Sequence, residues 1–190
     1  MALTKINPLK AQSKGSEPSA RLLAKARLLY VEDNDANWDI ASLLLKGSYD
    51  LTRARTAREV IETVADSEFD IILMDIELAG SKLDGIELTQ LLRGRLENPP
   101  EFASSFQPIE TPIIFVTAYT ARYKDAELKA YGGDAVVHKP VDPDELTGAI
   151  WKILNEHRIA TIAAQKSQLE AEKNAREIQE RAFKEIQSAH

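Results

Sequence analysis

Five short runs of strand-forming residues, alternating with helix-like stretches, constrain this chain more than any other feature. The sharpest is Ile71-Ile72-Leu73-Met74, the apolar part of a strand expected over Phe69–Met74, which stops abruptly on Asp75. An isoleucine-rich run this short cannot make a helix, and its lack of polar alternation points to a parallel strand buried on both faces. Leu28–Val31 closes on Glu32-Asp33, Ile113–Val116 on Thr117, and Ala135–His138 on Lys139-Pro140. Tyr49–Ala54 is polar and carries two arginines, which suits a sheet edge. Helical spacing of apolar residues fills the intervals: Ala36–Lys46 with Ile40, Leu43 and Leu44, Ala57–Asp66 behind a Thr56 cap, Asp84 to Leu96, Arg122–Tyr131, and a helix that starts near Pro143. Gly47 is placed to stop the first of these. Strands alternating with helices imply right-handed crossovers and a parallel sheet covered on both faces.

Composition narrows the class. The chain has 190 residues, 44% hydrophobic and 28% charged, enough apolar material for one domain with extensions. A net charge of −6 and a pI near 5.2 argue against non-specific nucleic-acid binding, which needs clustered positive charge. Without cysteine there are no disulfides and no thiolate metal sites. Neither a signal peptide nor an apolar stretch of membrane-spanning length is visible, so the expected setting is cytoplasmic, with no membrane partner. Residues 1–26 read as a flexible arm with a helical turn near Arg21–Lys25, residues 27–154 as the folded domain, and residues 155–190 as a helical extension.

Chemistry gathers outside the carboxyl ends of strands in open α/β sheets. Those ends here carry Glu32, Asp33, Asp75, Thr117 and Lys139. Three converging carboxylates repel one another and call for a divalent cation, and oxygen donors favour Mg²⁺ over zinc. A lysine and a hydroxyl are not needed to hold Mg²⁺. They make sense if a second anion, a phosphoryl group, is also stabilised there, with Asp75 as the nucleophile that accepts it.

With these residues in place, the chain resembles the receiver domain of two-component response regulators from about Arg27 to Leu154. The resemblance rests on Leu29-Tyr30-Val31-Glu32-Asp33, Leu73-Met74-Asp75, Asp84-Gly85, Val116-Thr117-Ala118 and Lys139-Pro140. It implies a doubly wound, flavodoxin-like α/β fold with strand order 2-1-3-4-5, and phosphorylation of Asp75 by a histidine kinase or phosphotransfer protein. It also implies Mg²⁺ bound by Asp33, Asp75 and the backbone carbonyl of Glu77, with Glu32 acting through water. Thr117 and Lys139 would contact phosphoryl oxygens, and the Lys139–Pro140 bond would be cis. Glu77 and Tyr119 would tune the lifetime of the phosphorylated state, a bulky Tyr119 shielding it from water. Such a module is not an enzyme beyond accepting and slowly losing its own phosphoryl group.

The chain departs from the family in four places. Val136 stands where a switch aromatic is usual, three residues before Lys139. Ala79 replaces a usual proline, and Gly80-Ser81-Lys82 lengthen the path to Asp84-Gly85. A stretch with Pro99, Pro100 and Pro108 precedes the fourth strand, and is read first as a tolerated surface loop.

From Trp151 to Ser188 there is neither proline nor glycine. The pairs Glu172–Arg176, Glu177–Arg181 and Glu180–Lys184 each add ~0.3 kcal/mol to a helix. Ile162, Leu169, Ile178, Phe183 and Ile186 keep no clean heptad, so an amphipathic partner helix or loose coiled coil is expected, with a homodimer as one outcome. Nothing after Leu154 resembles a DNA-binding or catalytic domain, so output by protein contact is expected. Two competitors stand beside this reading. A non-phosphorylated pseudo-receiver would keep the fold and work through its helix as a scaffold or oligomerisation module. A haloacid-dehalogenase-like phosphatase would need a second Asp two residues after the nucleophile, where this chain has Glu77.

Overall fold

The computed structural model of the chain describes residues 25–118 and 123–188. Five strands, β1 (Arg27–Val31), β2 (Asp50–Ala54), β3 (Ile71–Met74), β4 (Ile113–Thr117) and β5 (Ala135–His138), pair in parallel. Their order is β2-β1-β3-β4-β5, the doubly wound order expected. The helices are α1 (Asp35–Leu45), α2 (Ala57–Asp66), α3 (Gly85–Leu92), α4 (Asp125–Ala130) and α5 (Pro143–Ser188).

The period of two along each central strand divides the core. Leu28, Tyr30, Ile71, Leu73, Ile114 and Val116 face one side and pack with Ala41 and Leu45 of α1 and Leu146 and Ile150 of α5. Leu29, Val31, Ile72, Met74, Ile113 and Phe115 face the other and pack with α2, α3 and Leu128 of α4. Every side chain of β3 is buried. That explains why its sequence shows no polar alternation: both faces are covered.

Helix ends correct several sequence-based expectations. In α1 the buried residues are Ala41 and Leu45, while Ile40 and Leu43 are 58% and 73% exposed. Equal helical spacing places a stripe but does not say which stripe faces the sheet. Asn34 caps α1 by accepting from Asn37 N, and Gly47 does not take a positive φ. The helix begun by Asp84 stops at Leu92 rather than Leu96. Gly94 lies at φ +67°, where a Cβ would stand 2.6 Å from Pro108 Cγ, so the chain turns there. Helix α4 is shorter than Arg122–Tyr131, and residues 119–122 lie outside the description, as does the N-terminal arm before Lys25.

The proline-rich stretch is more than a surface loop. A 3-10 turn at Glu101–Ala103 buries Ala103 against the α2–α3 core, and Phe102, Phe106 and Ile109 pack onto it. Arg93 ties the stretch down: Nη1 donates to Ile109 O at 2.8 Å and Thr111 O at 2.9 Å, and Nη2 to Asp134 Oδ2 at 3.1 Å.

Helix α5 starts under an Asp142 cap that accepts from Asp144 N and Glu145 N. Its first turns pack on the sheet through Leu146 and Ile150. From Glu156 to Glu180 every residue is exposed, and the helix runs on without a break. Among the described residues no helix is long and apolar enough to cross a membrane.

Candidate functional site

Strand order brings the carboxyl ends of β1, β3, β4 and β5 side by side, and most of the chemistry-bearing residues sit there. Asp75 follows β3 and is 6% exposed, and its N–H donates to Val31 O at 3.0 Å, so the acid is fixed by the same ladder that builds the sheet. Glu32 follows β1 and is fully buried. One oxygen each from Glu32, Asp33 and Asp75 lies within 4.8 Å of the others. That spacing and an all-oxygen donor set fit a hard divalent cation such as Mg²⁺.

Lys139 reaches across from β5. Its Nζ donates to Asp75 Oδ2 at 2.6 Å and to Glu32 Oε2 at 2.7 Å. Its N–H bonds Thr117 O at 2.9 Å, which couples the end of β5 to the end of β4, and the Lys139–Pro140 peptide is cis as expected. Thr117 itself is fully buried.

The electrostatics follow from this crowding. Burial pushes the Asp75 carboxyl up, and neighbouring Glu32 adds to that; the Lys139 ammonium pulls it back, leaving it at about 6. Burial works against the Lys139 ammonium as well, but the bonds and charges of Asp75 and Glu32 outweigh it and hold the lysine above its ordinary value. Burial and the adjacent Glu32 carboxylate also raise the Tyr30 phenol, whose OH donates to Glu32 Oε2 at 3.0 Å. Glu32 Oε1 accepts from Asn34 N at 3.2 Å and Asn37 Nδ2 at 3.1 Å. A buried carboxylate with four donors is satisfied without a metal bond of its own.

The β3–α3 loop completes the rim. Asp84 caps α3 in a reciprocal box with Glu87. Gly85 then brings the helix so close to Asp75 that a Cβ would collide with the Asp75 carbonyl, which is the physical content of the Asp84-Gly85 motif. Ala79 N donates to Asp33 Oδ2 at 3.2 Å, a bond that proline at this position would lack. Ser81, in the lengthened part of the loop, accepts from Ala57 N at 3.0 Å and so caps the first turn of α2. Glu77 N lies 3.4 Å from Asp75 Oδ1. Val136 is half-buried, pairs with Phe115 and packs on the α2–α3–α4 side of the core. Tyr119 lies outside the described residues.

Sequence reasoning missed the residues that hold the acids from behind. Tyr30 and Asn37 support Glu32, and Arg53 of β2 and Arg55 just after it reach the β1–α1 loop. A signal existed: two arginines flank Ala54 at the carboxyl end of the strand that neighbours Glu32-Asp33.

Comparison with known proteins agrees with this geometry. Residues 28–151 match the model of the response regulator receiver domain. The chain is 28% identical over 134 residues to the uncharacterized transcriptional regulatory protein YrkP of Bacillus subtilis, covering 70% of this chain and 51% of that protein. It is 28% identical over 115 residues to the polar-differentiation response regulator DivK of Brucella ovis, covering 60% of this chain and 84% of DivK. In fold it resembles the Vibrio cholerae chemotaxis protein CheY4, with a TM-score of 0.55 at 24% identity over 68% of this chain and 99% of that one. The chain thus spans about half the length of its Bacillus relative and most of DivK. With its sheet order, its strand-end acids and the match across 28–151, this chain belongs to the response regulator receiver family of two-component signalling.

Proposed function

We propose that the chain accepts a phosphoryl group on Asp75 from a histidine kinase or phosphotransfer protein, and signals by protein contact rather than by binding DNA. The observation that carries this is the Glu32–Asp33–Asp75 cluster, with Glu32 and Asp75 buried and Lys139 bonded across them. In the transfer, the P–N bond of a phosphohistidine breaks as a bond forms between phosphorus and an Asp75 carboxylate oxygen, and the freed imidazole keeps or takes up a proton. Asp33, Asp75 and the Glu77 carbonyl would hold Mg²⁺, with Glu32 acting through water. When bound, the cation neutralises charge on the acids and on the incoming phosphoryl oxygens. Lys139 is already aimed at Asp75 and would move its ammonium onto a phosphoryl oxygen, and Thr117 at the end of β4 would supply a hydroxyl. Glu77 and Tyr119 would set how long the phosphorylated state lasts.

In this reading residues 27–154 are the receiver body and 155–190 the extension. The receiver acts in the cytoplasm as a signalling module, not as an enzyme on other substrates. Helix α5 supplies the contact for a downstream protein or for a second copy in a homodimer. Exposed Trp151, Ile159, Ile162, Leu169 and Ile178 support that role, because apolar side chains on a lone helix have nothing of their own to cover them. Incubation of the chain with acetyl phosphate and Mg²⁺, read by intact mass, tests the central step. A gain of one phosphoryl that Asp75→Asn abolishes is expected. No gain would overturn the reading in favour of a non-phosphorylated scaffold.

A further inference from the structure

The carboxylates and Lys139 do not explain why the β1–α1 loop stands as it does, because the loop is also gripped from the edge strand. Arg53 Nε donates to Glu32 O at 2.8 Å, its Nη2 to Asp33 O at 2.9 Å and its Nη1 to Asp35 Oδ1 at 2.6 Å. Arg55 adds Nη1 to Asp33 O at 3.1 Å and Nη2 to Asp35 Oδ1 at 2.5 Å. The Arg53 guanidinium lies 5.3 Å from the centre of the Trp38 ring, which sits 6.2 Å from Tyr30, the residue that bonds the Glu32 carboxylate. The Arg53 side chain is only 12% exposed.

A surface ion pair would need only Asp35. That carboxylate is exposed, its bonds to Arg53 and Arg55 hold it below the usual carboxylate range, and such a pair contributes little. Three of the five bonds go elsewhere, to the backbone carbonyls of the two residues that carry the acids. A planar fork suits paired carbonyls in a way that an ammonium cannot. Holding those carbonyls toward β2 leaves the Glu32 and Asp33 side chains directed at Asp75, against the mutual repulsion of three acids.

We propose that Arg53 is the positioning residue of the divalent-cation site, holding the Glu32–Asp33 backbone so that both carboxylates meet Asp75, with Arg55 as its helper. This rests on the reading of that cluster as the Mg²⁺ and phosphoryl site. It makes a prediction opposite in sign to simple electrostatics. A guanidinium near the acids repels a cation, so charge alone predicts tighter Mg²⁺ binding when it is removed. Positioning predicts weaker binding, even when the charge is kept.

The test is calorimetric titration of the metal-stripped full chain with MgCl₂, for wild type, Arg53→Lys and Arg53→Gln. Loss of a group that orients metal ligands from behind commonly costs an order of magnitude, so both variants are expected to bind Mg²⁺ ~10-fold more weakly. Phosphoryl uptake from acetyl phosphate at saturating Mg²⁺ should stay within about twofold of wild type, the split that marks a binding role rather than a chemical one. Unchanged affinity in Arg53→Lys, or tighter binding in Arg53→Gln, overturns the proposal whatever happens to the melting temperature. If neither variant folds, Arg55→Gln carries the test, with weaker Mg²⁺ binding expected and equal affinity overturning the proposal. A wild type that binds Mg²⁺ but takes up no phosphoryl overturns the proposed function alone, since positioning is read from affinity. A wild type that binds no Mg²⁺ overturns both.

Discussion

The strand-end cluster and the far half of α5 are opposite kinds of structure joined by one helix. Around Asp75, Glu32 and the Tyr30 phenol are buried and Asp33 and Lys139 half-buried, and the bonds among acids and lysine join distant parts of the chain. Among the described residues beyond Asn155 the helix shows local interactions, such as Thr161 Oγ1 donating to His157 O at 2.9 Å. The cluster is over-determined, so small changes there should be expensive. The tail is under-determined, so changes there should matter only when something binds it. Helix α5 spans both regimes, since its first turns are core and the rest is solvent-exposed.

The largest effect should come from the tightest contact. Gly85→Ala puts a methyl group against the Asp75 carbonyl, and should cost about 3 kcal/mol in urea unfolding and move the acceptor's backbone. A neutral result would mean that α3 is free to slide. Next is Lys139→Met, which leaves Asp75 and Glu32 facing one another without a cation. A loss of about 3 kcal/mol is expected at pH 8, shrinking toward pH 5 as Asp75 takes up a proton.

Asp75→Asn should go the other way. The folded-state value of about 6 lies above the ordinary 3.8, so the folded chain binds more protons than the unfolded chain between these values. Stability from this group is therefore full below pH 4 and lost as pH rises through 6. Without Mg²⁺ the Asn variant should be more stable than wild type by about 2 kcal/mol at pH 8, with the gain gone near pH 4. Added Mg²⁺ should stabilise the wild type and leave the variant nearly unchanged. A variant less stable than wild type at pH 8 would show that the Lys139 bond outweighs burial.

The smallest effect belongs to the tail. Ending the chain after Leu154 should change the unfolding free energy of the body by less than about 1 kcal/mol, because no residue from Glu156 to Glu180 is buried. Sedimentation of the two forms reads the other half of the comparison. Loss of an oligomer on truncation supports pairing through α5, and an oligomer that survives it refutes that role.

The same contrast explains what was legible in the sequence. Strands β1, β3 and β4 could be read to within about two residues because burial on both faces leaves an almost uninterrupted apolar run, β5 from its Ala135-Val136-Val137 run although it is only half-buried, and the acids, Thr117 and Lys139 mark where each run ends. Asp84-Gly85 and Lys139-Pro140 were readable because each answers a local backbone demand. Facing was not legible where composition is uniform: Ile40 and Leu43 sit outside while Ala41 and Leu45 sit inside, a choice made by the sheet and not by the helix. Support from behind was not legible either. Arg53 and Arg93 act across separations of 21 and 16 residues through backbone carbonyls, and the arginine pair around Ala54 signals a partner without saying which atoms it holds.

The claim at the centre is that Asp75 becomes an acyl phosphate. Hydroxylamine cleaves such a group and leaves a hydroxamate on the same carboxyl, which peptide mass mapping can locate after treatment with acetyl phosphate and Mg²⁺. The label is predicted on Asp75 alone, and to be missing when Mg²⁺ is withheld. A hydroxamate on Glu32, Asp33 or any other acid, or none at all, would contradict it.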